Sequence, residues 1–574
     1  MNTPIKDQNG QILRESEVAG NAVLGSEVMS SAVQTALSAS DESTFDESTF
    51  DHFSDGTARS GMSDTNGMEN GPASSTLSDA NRAFVPQFDM NEIMNCMRCG
   101  FCLPACPTFR ETGKEYASPR GRIALMKGIA NGQIGITEEF EDNMYLCLGC
   151  RACESACPAG VKYGRLVEGA REAIEEAKSL GIIGARDGEG SGGTGSGGAA
   201  AGMSPATSGG GASGADNTNG SVGAAEATAS TSSPPLSPAH TVKRSRKEAF
   251  VRNLVFRRIF LYPSRVQTIG TLLWAAQATG LQKMADKTGL MRVLPRSMAE
   301  MQQAVPKVAS PAARRKRRAV VPADKEAARD KTIRVGMFKG CVMDVMFFEA
   351  NEATARVLSK AGCEVVFVEE QVCCGALHAH SGEQWGAIDL AKRNIAAFEN
   401  AGVDYIVNNA GGCGAALREY AHWFEHDEAW SERAKAFVAK LKDANELLAE
   451  LPPLQFSKEV HARVTYQDSC HLRHGQGIWK QPRHLIRQIP GIEFAELPGA
   501  DTCCGSAGIY NITNFDLSMK ILDDKMDKVA DTKANIIVTS NPGCLLQMRQ
   551  GIIRANLADH VEAVHIMELL DRAL

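Results

Sequence analysis

The sequence predicts an α/β fold for the C-terminal region, built as two βαβ-type halves, preceded by a small and mostly α-helical domain. From residue 332 onward, short apolar runs of strand length alternate with helix-length segments, as parallel strands in βαβ units do. A pattern of Cys residues recurs there with offsets of 129 to 131 residues, which indicates an internal duplication. Upstream, residues 96–157 hold eight of the 17 Cys residues, whereas residues 1–95 hold none.

The composition is that of a soluble globular protein and excludes several classes. The 574 residues are 43% hydrophobic and 22% charged, with a net charge of -7, so there is no global basic field for nucleic acid. Cys makes up only about 3% of the chain, far below small disulfide scaffolds. The N-terminus lacks a secretory pattern, and the uncharged run 266–282 is too short and polar to span a bilayer. We therefore expect a cytoplasmic protein, peripheral at most on the inner face of the membrane, whose clustered Cys residues bind metal.

Composition also predicts the domain boundaries. Residues 1–85 are rich in Ser, Thr, Asp, Asn and Gly and contain a tandem DESTF repeat. Residues 187–240 hold 14 Gly and 10 Ser without Lys or Arg. Such segments cannot bury a core. The run RRKRR at 314–318 is interpreted as a solvated basic patch in a linker. The predicted parts are a disordered tail (1–85), the Cys-rich domain (86–183), a Gly/Ser linker (184–242), a helical connector (243–331) and the two halves of the α/β region (332–455 and 456–574).

The Cys-rich domain carries the spacing C-x2-C-x2-C-x3-C-P twice, with an offset of 51 residues. A thiolate at every third residue lets one loop supply three ligands to a cubane iron–sulfur cluster, while the fourth Cys reaches the neighbouring cluster. This predicts a ferredoxin-type domain with two 4Fe-4S clusters. The alternative is a zinc site, but zinc prefers paired C-x2-C units. We assign Cys96, Cys99, Cys102 and Cys157 to one cluster (the first ferredoxin site), and Cys147, Cys150, Cys153 and Cys106 to the other (the second ferredoxin site).

The duplicated region carries a Cys-Cys-Gly motif in each half, and we call the halves CCG units. Each unit offers four Cys residues that follow three predicted strands, and ligands of open α/β sheets bind beyond the carboxyl ends of strands. Four thiolates suffice for one iron–sulfur cluster or one zinc ion, and a disulfide between the adjacent Cys residues is a further option. Cys363 falls outside the repeat and is interpreted as a core residue. The candidate ligands are Cys341, Cys373, Cys374 and Cys413 (the first CCG site), and Cys470, Cys503, Cys504 and Cys544 (the second CCG site).

With these residues identified, the chain resembles the family of glycolate oxidase (glycolate dehydrogenase) iron–sulfur subunits. The resemblance covers about 86–183 and 245–574, and its motifs include SPRGRIALMKG at 118–128, QDSCHLRHGQG at 467–477 and SNPGCLLQMRQG at 540–551. It implies an electron-transfer subunit of an oxidoreductase complex. Flavin-bearing glycolate oxidase subunits on other chains would oxidise glycolate to glyoxylate, or D-lactate to pyruvate, and the electrons would pass through the clusters towards quinone or another acceptor. No flavin is expected on this chain, because no G-x-G-x-x-G pattern appears.

The resemblance extends to subunits for lactate and glycerol-3-phosphate oxidation, which are alternatives for the same role. It also extends to heterodisulfide reductases, whose CCG units end in C-x-x-C and act in thiol–disulfide catalysis. Here Ala416 and Gln547 stand where that last Cys would be, which argues against a five-Cys cluster and against heterodisulfide reduction. Four-Cys sites for one or two further clusters remain open, as does the identity of the 2-hydroxy acid, which the flavin partner would select.

Two groups of residues near the Cys motifs have a role that the sequence leaves open. Basic side chains close to the ferredoxin loops could raise cluster potentials or lie on the surface. His residues that follow the CCG motifs could carry protons, ligate metal or simply pack. The basic residues are Arg120, Arg122, Arg151 and Lys162, and the His residues are His378, His380, His471 and His474.

Overall fold

A computed structural model describes residues 88–181, 246–288, 296–327 and 332–574. The predicted disordered tail (1–85) and the Gly/Ser linker (184–242) lie outside the described residues. Within them, the predicted fold class is confirmed, because helices precede two parallel sheets.

Residues 88–181 form a helical domain whose two Cys-rich loops lie between short helices. Ser118 begins one helix by accepting a hydrogen bond from the Gly121 amide, with Pro119 at the first helical position. The long last helix buries Leu166, Ala170 and other apolar residues of one face in the domain core. The helices are α1 (Met90–Met94), α2 (Pro107–Thr112), α3 (Pro119–Ala130), α4 (Glu138–Tyr145), α5 (Ala152–Ser155) and α6 (Tyr163–Leu180), with a 3-10 turn at Glu115–Ala117.

The described part of the connector consists mostly of helices, and it continues into the first sheet through its last strand. One stretch, Asn253–Ile259, is a π-helix, a form that is rare and frequently found at functional sites. None of the described helices is long and apolar enough to cross a membrane. The connector helices are α7 (Arg246–Arg252), α8 (Pro263–Ala278), α9 (Leu281–Lys287), α10 (Arg296–Met301) and α11 (Pro311–Arg315), with a 3-10 turn at Gln302–Ala304.

Two open sheets make up the remaining part of the chain. The first has five strands in the order β1-β3-β2-β4-β5, and the second has four in the order β7-β6-β8-β9. All neighbouring strands are parallel except β1, which pairs antiparallel with β3. The strands are β1 (Val320–Val321), β2 (Ile333–Phe338), β3 (Cys363–Phe367), β4 (Tyr405–Asn408), β5 (Leu441–Asp443), β6 (Ala462–Tyr466), β7 (Ile492–Phe494), β8 (Ile536–Thr539) and β9 (Glu562–His565).

Helices connect the parallel strands, and the two units share a core. Val335 and Val365 of the first sheet belong to the same buried cluster as Val464 and Val538 of the second. The helices are α12 (Val342–Met346), α13 (Phe348–Lys360), α14 (Ala376–His380), α15 (Gln384–Asn400), α16 (Gly411–Trp423), α17 (Ser431–Ala439), α18 (Ala444–Glu450), α19 (Cys470–Gln476), α20 (Lys480–Arg487), α21 (Tyr510–Thr513), α22 (Phe515–Thr532), α23 (Pro542–Arg554) and α24 (Ile566–Ala573).

Strand prediction succeeded for the inner strands and for the edge strand β7, and it missed three other strands at the edges. β1, β5 and β9 are two to four residues long and carry charged or exposed residues, so their sequences lack the apolar run that identifies a strand. The duplication therefore includes one more strand per unit than the sequence indicates.

The interpretation of RRKRR as a solvated patch was wrong for part of the run. Arg317 is mostly buried, pairs with Asp344 and Glu352 at 2.6 Å, and stacks over the Phe348 ring. Arg314 donates to the side-chain oxygen of Gln267 at 2.7 Å. The Arg317 guanidinium therefore fastens the connector to the first CCG unit, to which Asp344 and Glu352 belong, whereas Arg314 joins α11 to α8 within the connector.

Asp443 at the start of α18 predicts an unusual dependence of stability on pH. Its carboxylate accepts from the Asn445 amide, and its burial raises its pKa to about 6. Because the folded pKa lies above the unfolded value, the stabilisation is present below about pH 4 and is lost as the pH rises through about 6. Asp443→Asn keeps the cap, so we expect it to be more stable than the parent at pH 7.5, by roughly 3 kcal/mol at most. Thermal midpoints at pH 4.5 and 7.5 test this, and no gain at pH 7.5 would contradict it.

Candidate iron–sulfur sites

The four Cys residues predicted for the second ferredoxin site surround one small cavity. Cys106 at the start of α2 and Cys147, Cys150 and Cys153 around α5 all line it. Although Cys106 is about 40 residues from the other three in sequence, the fold brings it to their side, as the crossed-ligand assignment requires. A cavity bordered by four thiols fits the donor set of a cubane cluster.

Positive charge is buried beside this cavity. Arg122 is fully buried, lines the cavity, and donates to the Asn143 carbonyl at 2.7 Å. Burial alone would raise the pKa of Cys147, but Arg122 and Arg171 outweigh it and hold that pKa below its ordinary value. Cys153 lacks such a partner among its main influences, and burial raises its pKa well above the ordinary value. The site is therefore electropositive around Cys147, which favours a thiolate there.

The first ferredoxin site is closer to solvent. Cys96, Cys102 and Cys157 pack against the domain core, whereas Cys99 is exposed. Burial raises the pKa of Cys102 moderately. The loop around Cys99 exposes large apolar side chains to solvent, namely Met94, Met97 and Phe101, which are 61%, 67% and 65% exposed.

The four thiols of the first CCG site are in mutual contact. The sulfurs of Cys341 and Cys373 lie 3.3 Å apart, and Cys374 hydrogen-bonds with both Cys373 and Cys413. The hydrogen bond with Cys341 holds the pKa of Cys373 well below its ordinary value, while the same bond and burial raise the pKa of Cys341. A cluster would occupy the space between these thiols, which would have to move apart. Whether a cluster fits therefore depends on how far the loops that carry the thiols can move.

Buried polar side chains hold the loop that carries Cys373 and Cys374. Asn394 accepts from the Val372 amide and donates to the Cys373 carbonyl, both at 2.9 Å. The Tyr420 hydroxyl donates to the Cys374 carbonyl at 3.0 Å. The peptide groups around the two Cys residues are thereby satisfied within the protein, which orients the thiols towards each other.

The Gly of each CCG motif is required by the backbone. Gly375 and Gly505 have φ angles of +85° and +90°, a region that L-residues rarely adopt. A Cβ atom on Gly505 would lie 2.7 Å from the Ser518 carbonyl oxygen. The third residue of the motif therefore turns the chain immediately after the two thiols.

The second CCG site repeats this arrangement with different supports. Cys470 and Cys503 are joined by a hydrogen bond, which together with burial raises the pKa of Cys470 well above its ordinary value. Cys504 hydrogen-bonds with both Cys503 and Cys544. The loop is held by Ser518, whose hydroxyl donates to the Gly505 carbonyl at 2.9 Å.

Two contacts connect three of the four sites into a series. Cys150 of the second ferredoxin site hydrogen-bonds with Cys503 of the second CCG site, and the pair is buried. Asn541 connects the two CCG sites, because its side-chain oxygen accepts from the Gly412 amide at 3.0 Å and its nitrogen lies 3.7 Å from the Cys544 sulfur. Gly412 immediately precedes Cys413. The first ferredoxin site is placed before these three because the predicted ligand sets exchange Cys106 and Cys157 between the two ferredoxin loops. The order that we call the relay is therefore first ferredoxin site, second ferredoxin site, second CCG site and first CCG site.

The His residues lie mainly where the ferredoxin-type domain meets the CCG units. His380 pairs with Glu168 at 2.7 Å, and His474 shares a 2.8 Å hydrogen bond with Ser155. His471 lies 3.5 Å from the Cys470 sulfur, and its burial lowers its pKa to about 3. His378 instead contacts the connector, with a ring nitrogen 3.0 Å from the Phe256 carbonyl. Two of the four, His380 and His474, therefore join the two domains.

The basic residues near the ferredoxin loops also differ in what they contact. Arg122 reaches the second ferredoxin site, while Arg151 pairs with Glu419 of the first CCG unit at 2.6 Å and fastens the domains together. Arg120 pairs with Glu115 at 2.7 Å and lies over the first loop, donating to the Arg98 carbonyl.

Sequence reasoning missed several residues that shape the relay. Asn541 precedes the Pro-Gly-Cys of the second unit, and only its contact with Gly412 identifies its role. Arg171 donates to the Cys147 carbonyl at 2.6 Å, and Tyr163 places its hydroxyl 3.7 Å from the Cys147 sulfur. All three lie inside stretches that carry the family resemblance, which was the available signal.

The donor set fits iron–sulfur chemistry. Thiolates are soft ligands that suit clusters, and the second ferredoxin site arranges four around a cavity. In the part of the chain that the structure describes, no three Cys, His, Asp or Glu side chains are arranged to hold a single metal ion.

Comparisons with known proteins agree with these observations. Residues 92–161 match the family described as "4Fe-4S dicluster domain", and residues 335–418 and 464–549 match "Cysteine-rich domain". Residues 247–305 match "Glycolate oxidase iron-sulfur subunit, linker region". The prediction of iron–sulfur clusters is thereby confirmed, while the assignment of individual ligands stays a prediction.

Three relatives illustrate the range of similarity. The chain is 43% identical over 490 residues to a probable glycolate oxidase iron-sulfur subunit of Bacillus subtilis (strain 168), covering 85% of this chain and 95% of that protein. It is 26% identical over 487 residues to the glycolate oxidase iron-sulfur subunit of Escherichia coli (strain K12), covering 83% and 93%. A lactate utilization protein A of Geobacillus kaustophilus (strain HTA426) is 32% identical over 240 residues, covering 42% of this chain and 99% of that protein.

Proposed function

We propose that this chain, which belongs to the glycolate oxidase iron–sulfur subunit family, carries electrons from a flavin-bearing partner to an acceptor through clusters at its four Cys sites. The observation that supports this most directly is the relay. Cys150 contacts Cys503, and Asn541 spans the distance between Gly412 and the Cys544 sulfur. Electron tunnelling slows steeply with distance, so sites in contact favour transfer along the series.

The partner would oxidise glycolate to glyoxylate, which releases two electrons and two protons to its flavin. An iron–sulfur cluster, when bound, accepts and releases one electron at a time. The protein's own residues would hold the clusters and tune them: thiolates as ligands, Arg122 as a buried charge, and the Asn394 and Tyr420 hydrogen bonds as supports for the loop. The proposed ligands are Cys96, Cys99, Cys102 and Cys157; Cys106, Cys147, Cys150 and Cys153; Cys341, Cys373, Cys374 and Cys413; and Cys470, Cys503, Cys504 and Cys544.

The direction of transfer follows from exposure. The first ferredoxin site has an exposed Cys99, so it is the entry for electrons from the partner. The first CCG site stands at the other end of the relay and is the exit. The proposed acceptor is a quinone, which places the chain at the inner face of the membrane. Oxidation of D-lactate is a second candidate for the partner's reaction, because a lactate utilization protein matches 42% of this chain.

The proposal is tested on the complex purified without oxygen after co-expression with candidate flavin subunits. Iron content and electron paramagnetic resonance spectra are recorded before and after adding glycolate, D-lactate or glycerol-3-phosphate. We expect at least eight irons per chain and cluster signals that appear on adding glycolate. If only D-lactate reduced the clusters, D-lactate would replace glycolate as the proposed substrate of the flavin partner. Reduction by none of the three, with clusters that dithionite still reduces, would refute the proposal.

The exposed apolar loop around Cys99 predicts where the flavin subunit binds. Met97 and Phe101 are large, exposed and next to the candidate ligands, and contiguous exposed apolar patches mark binding surfaces. We expect Met97→Asp with Phe101→Asp to lower co-purification of the flavin subunit at least tenfold, because buried charges oppose association. Iron content should not change. The matched control is Leu180→Asp, which places a charge at an exposed apolar residue of the same domain outside the Cys loops. Equal loss of the partner in the control would contradict the assignment.

A further inference from the structure

A cavity of about 200 Å³ lies between the connector and the first CCG unit. Phe260, Val266 and Gln267 form its connector side, and Lys339, Cys341 and Cys373 lie on the other. Within the described residues, it joins two parts of the chain that are distant in sequence. The connector packs closely here, because a Cβ atom on Gly270 of α8 would lie 2.5 Å from a Val345 methyl.

The cavity lies at the exit end of the relay. Two of the four thiols of the first CCG site, Cys341 and Cys373, line it, whereas Cys374 and Cys413 do not. Cys413 instead follows Gly412, whose amide is bound by Asn541 of the second unit. Electrons that arrive from the second unit would therefore cross the first CCG site before they reach this cavity.

The lining fits a neutral, flat carbonyl compound. Phe260, Val266 and Val372 provide apolar surface, and Lys339 and Ser264 can donate hydrogen bonds to carbonyl oxygens. Asp344 and Glu369 also line the cavity, so its charged groups do not favour a carboxylate or phosphate ligand. Asp344 is already paired with Arg317 and accepts from the side-chain nitrogen of Gln267 at 2.9 Å.

The outer surface of the same connector is suited to anionic lipid. Residues 246–288 hold eight Lys or Arg against two acidic residues, in a chain whose net charge is -7. Among the connector residues whose side chains are described, several large apolar ones are exposed, including Phe250 and Leu272, which are 67% and 65% exposed. Arg257, Arg258 and Arg265 of the same segment are also exposed, and Arg257 stacks on Trp385 at 5.0 Å. Exposed basic and apolar residues within one segment are typical of segments that lie in a membrane interface.

We propose that this cavity binds the headgroup of a membrane quinone, with the exposed side chains of residues 249–282 lying on an anionic lipid surface. The inference rests on the proposed electron-transfer function. Each quinone takes two electrons, delivered singly by way of the first CCG site, and two protons from water, so that both C=O groups become C–OH. The electrons come from the 2-hydroxy acid, whose oxidation releases the same number of electrons and protons.

The test uses the whole complex and a photoreactive azidoquinone with a short tail. We expect crosslinks to peptides from α8 and from the loop after β2. Ser264→Trp places a bulky ring at an exposed position on the cavity rim and should reduce labelling at least tenfold. Thr268→Trp, one turn further along α8, is the control and should label like the parent, because Thr268 does not line the cavity. Labelling elsewhere, or equal labelling of both variants, would overturn the proposal.

A second readout separates this proposal from the proposed function. Dithionite reduces the clusters without the flavin partner, and the rate at which quinone then reoxidises them is followed by absorbance. Ser264→Trp should slow reoxidation at least tenfold, while the extent of reduction and the iron content stay those of the parent. An unchanged rate would overturn the cavity assignment even if glycolate reduces the clusters. Failure of glycolate to reduce them, with the expected labelling, would instead refute the proposed function.

The lipid surface is tested by flotation of the complex with phosphatidylglycerol vesicles. We expect the parent to float at low ionic strength, and Phe250→Asp with Leu272→Asp to lose at least nine-tenths of the floated fraction. Vesicles of phosphatidylcholine, which lack net charge, should float little of either. If the variant floats like the parent, or if it loses the flavin subunit instead of the vesicles, the surface serves another partner and the lipid assignment is overturned.

Discussion

Replacing Cys150 by Ala is expected to remove about four irons per chain and to stop electrons from passing beyond the ferredoxin-type domain. The reason is the position of this thiol. Cys150 lines the cavity of the second ferredoxin site and hydrogen-bonds with Cys503 of the second CCG site. Its loss removes a ligand and the contact that continues the relay. We expect acceptor reduction by the complex to fall at least a hundredfold.

Iron content, paramagnetic resonance spectra and acceptor reduction measure this effect together. The control is Cys363→Ala, because Cys363 is buried in the core strand β3, outside the four sites. That variant should keep its iron, with a loss of stability of roughly 1 kcal/mol from the deleted sulfur. If Cys150→Ala kept both its iron and its rate, the ligand assignment and the order of the relay would be wrong.

Removing the positive charge of Arg122 is expected to lower the reduction potential of the second ferredoxin cluster by about 90 mV. Arg122 is buried, borders the cavity and lowers the pKa of Cys147. Reduction adds a negative charge to the site, and a buried cation stabilises that charge. At an effective dielectric constant of about 20 this contribution is roughly 2 kcal/mol, which corresponds to about 90 mV for one electron.

Arg122→Met tests this prediction because Met fills a similar volume without charge. Arg122→Lys is the matched control. Lys keeps the charge and loses the forked hydrogen bonds to Thr108. Potentials are measured by titration monitored with paramagnetic resonance. We expect the Lys variant to retain most of the parent potential. If the reduction potential shifted as much in the Lys variant as in the Met variant, packing and not charge would control the potential.

The candidate ligands could be predicted from the sequence because their chemistry is local. In the loop that begins at Cys147, three thiols fall within seven residues, so the spacing alone indicates that they face one cluster. The duplication placed Cys470 and Cys544 by analogy with Cys341 and Cys413, and the strands before them are inner, apolar strands. The edge strands β5 and β9 escaped prediction because a few residues at the rim of a sheet need no apolar run.

The sequence by itself determined that two ferredoxin loops and two CCG units exist, and which thiols they hold. Only the tertiary structure decided how these sites follow one another. Cys150 and Cys503 lie 353 positions apart in the printed numbering, and Asn541 meets Gly412 across two separate sheets. Such contacts depend on how whole domains pack, and packing leaves no periodic pattern along the chain. The cavity beside Cys341 arises in the same way, because the connector that closes it begins and ends before the CCG units begin.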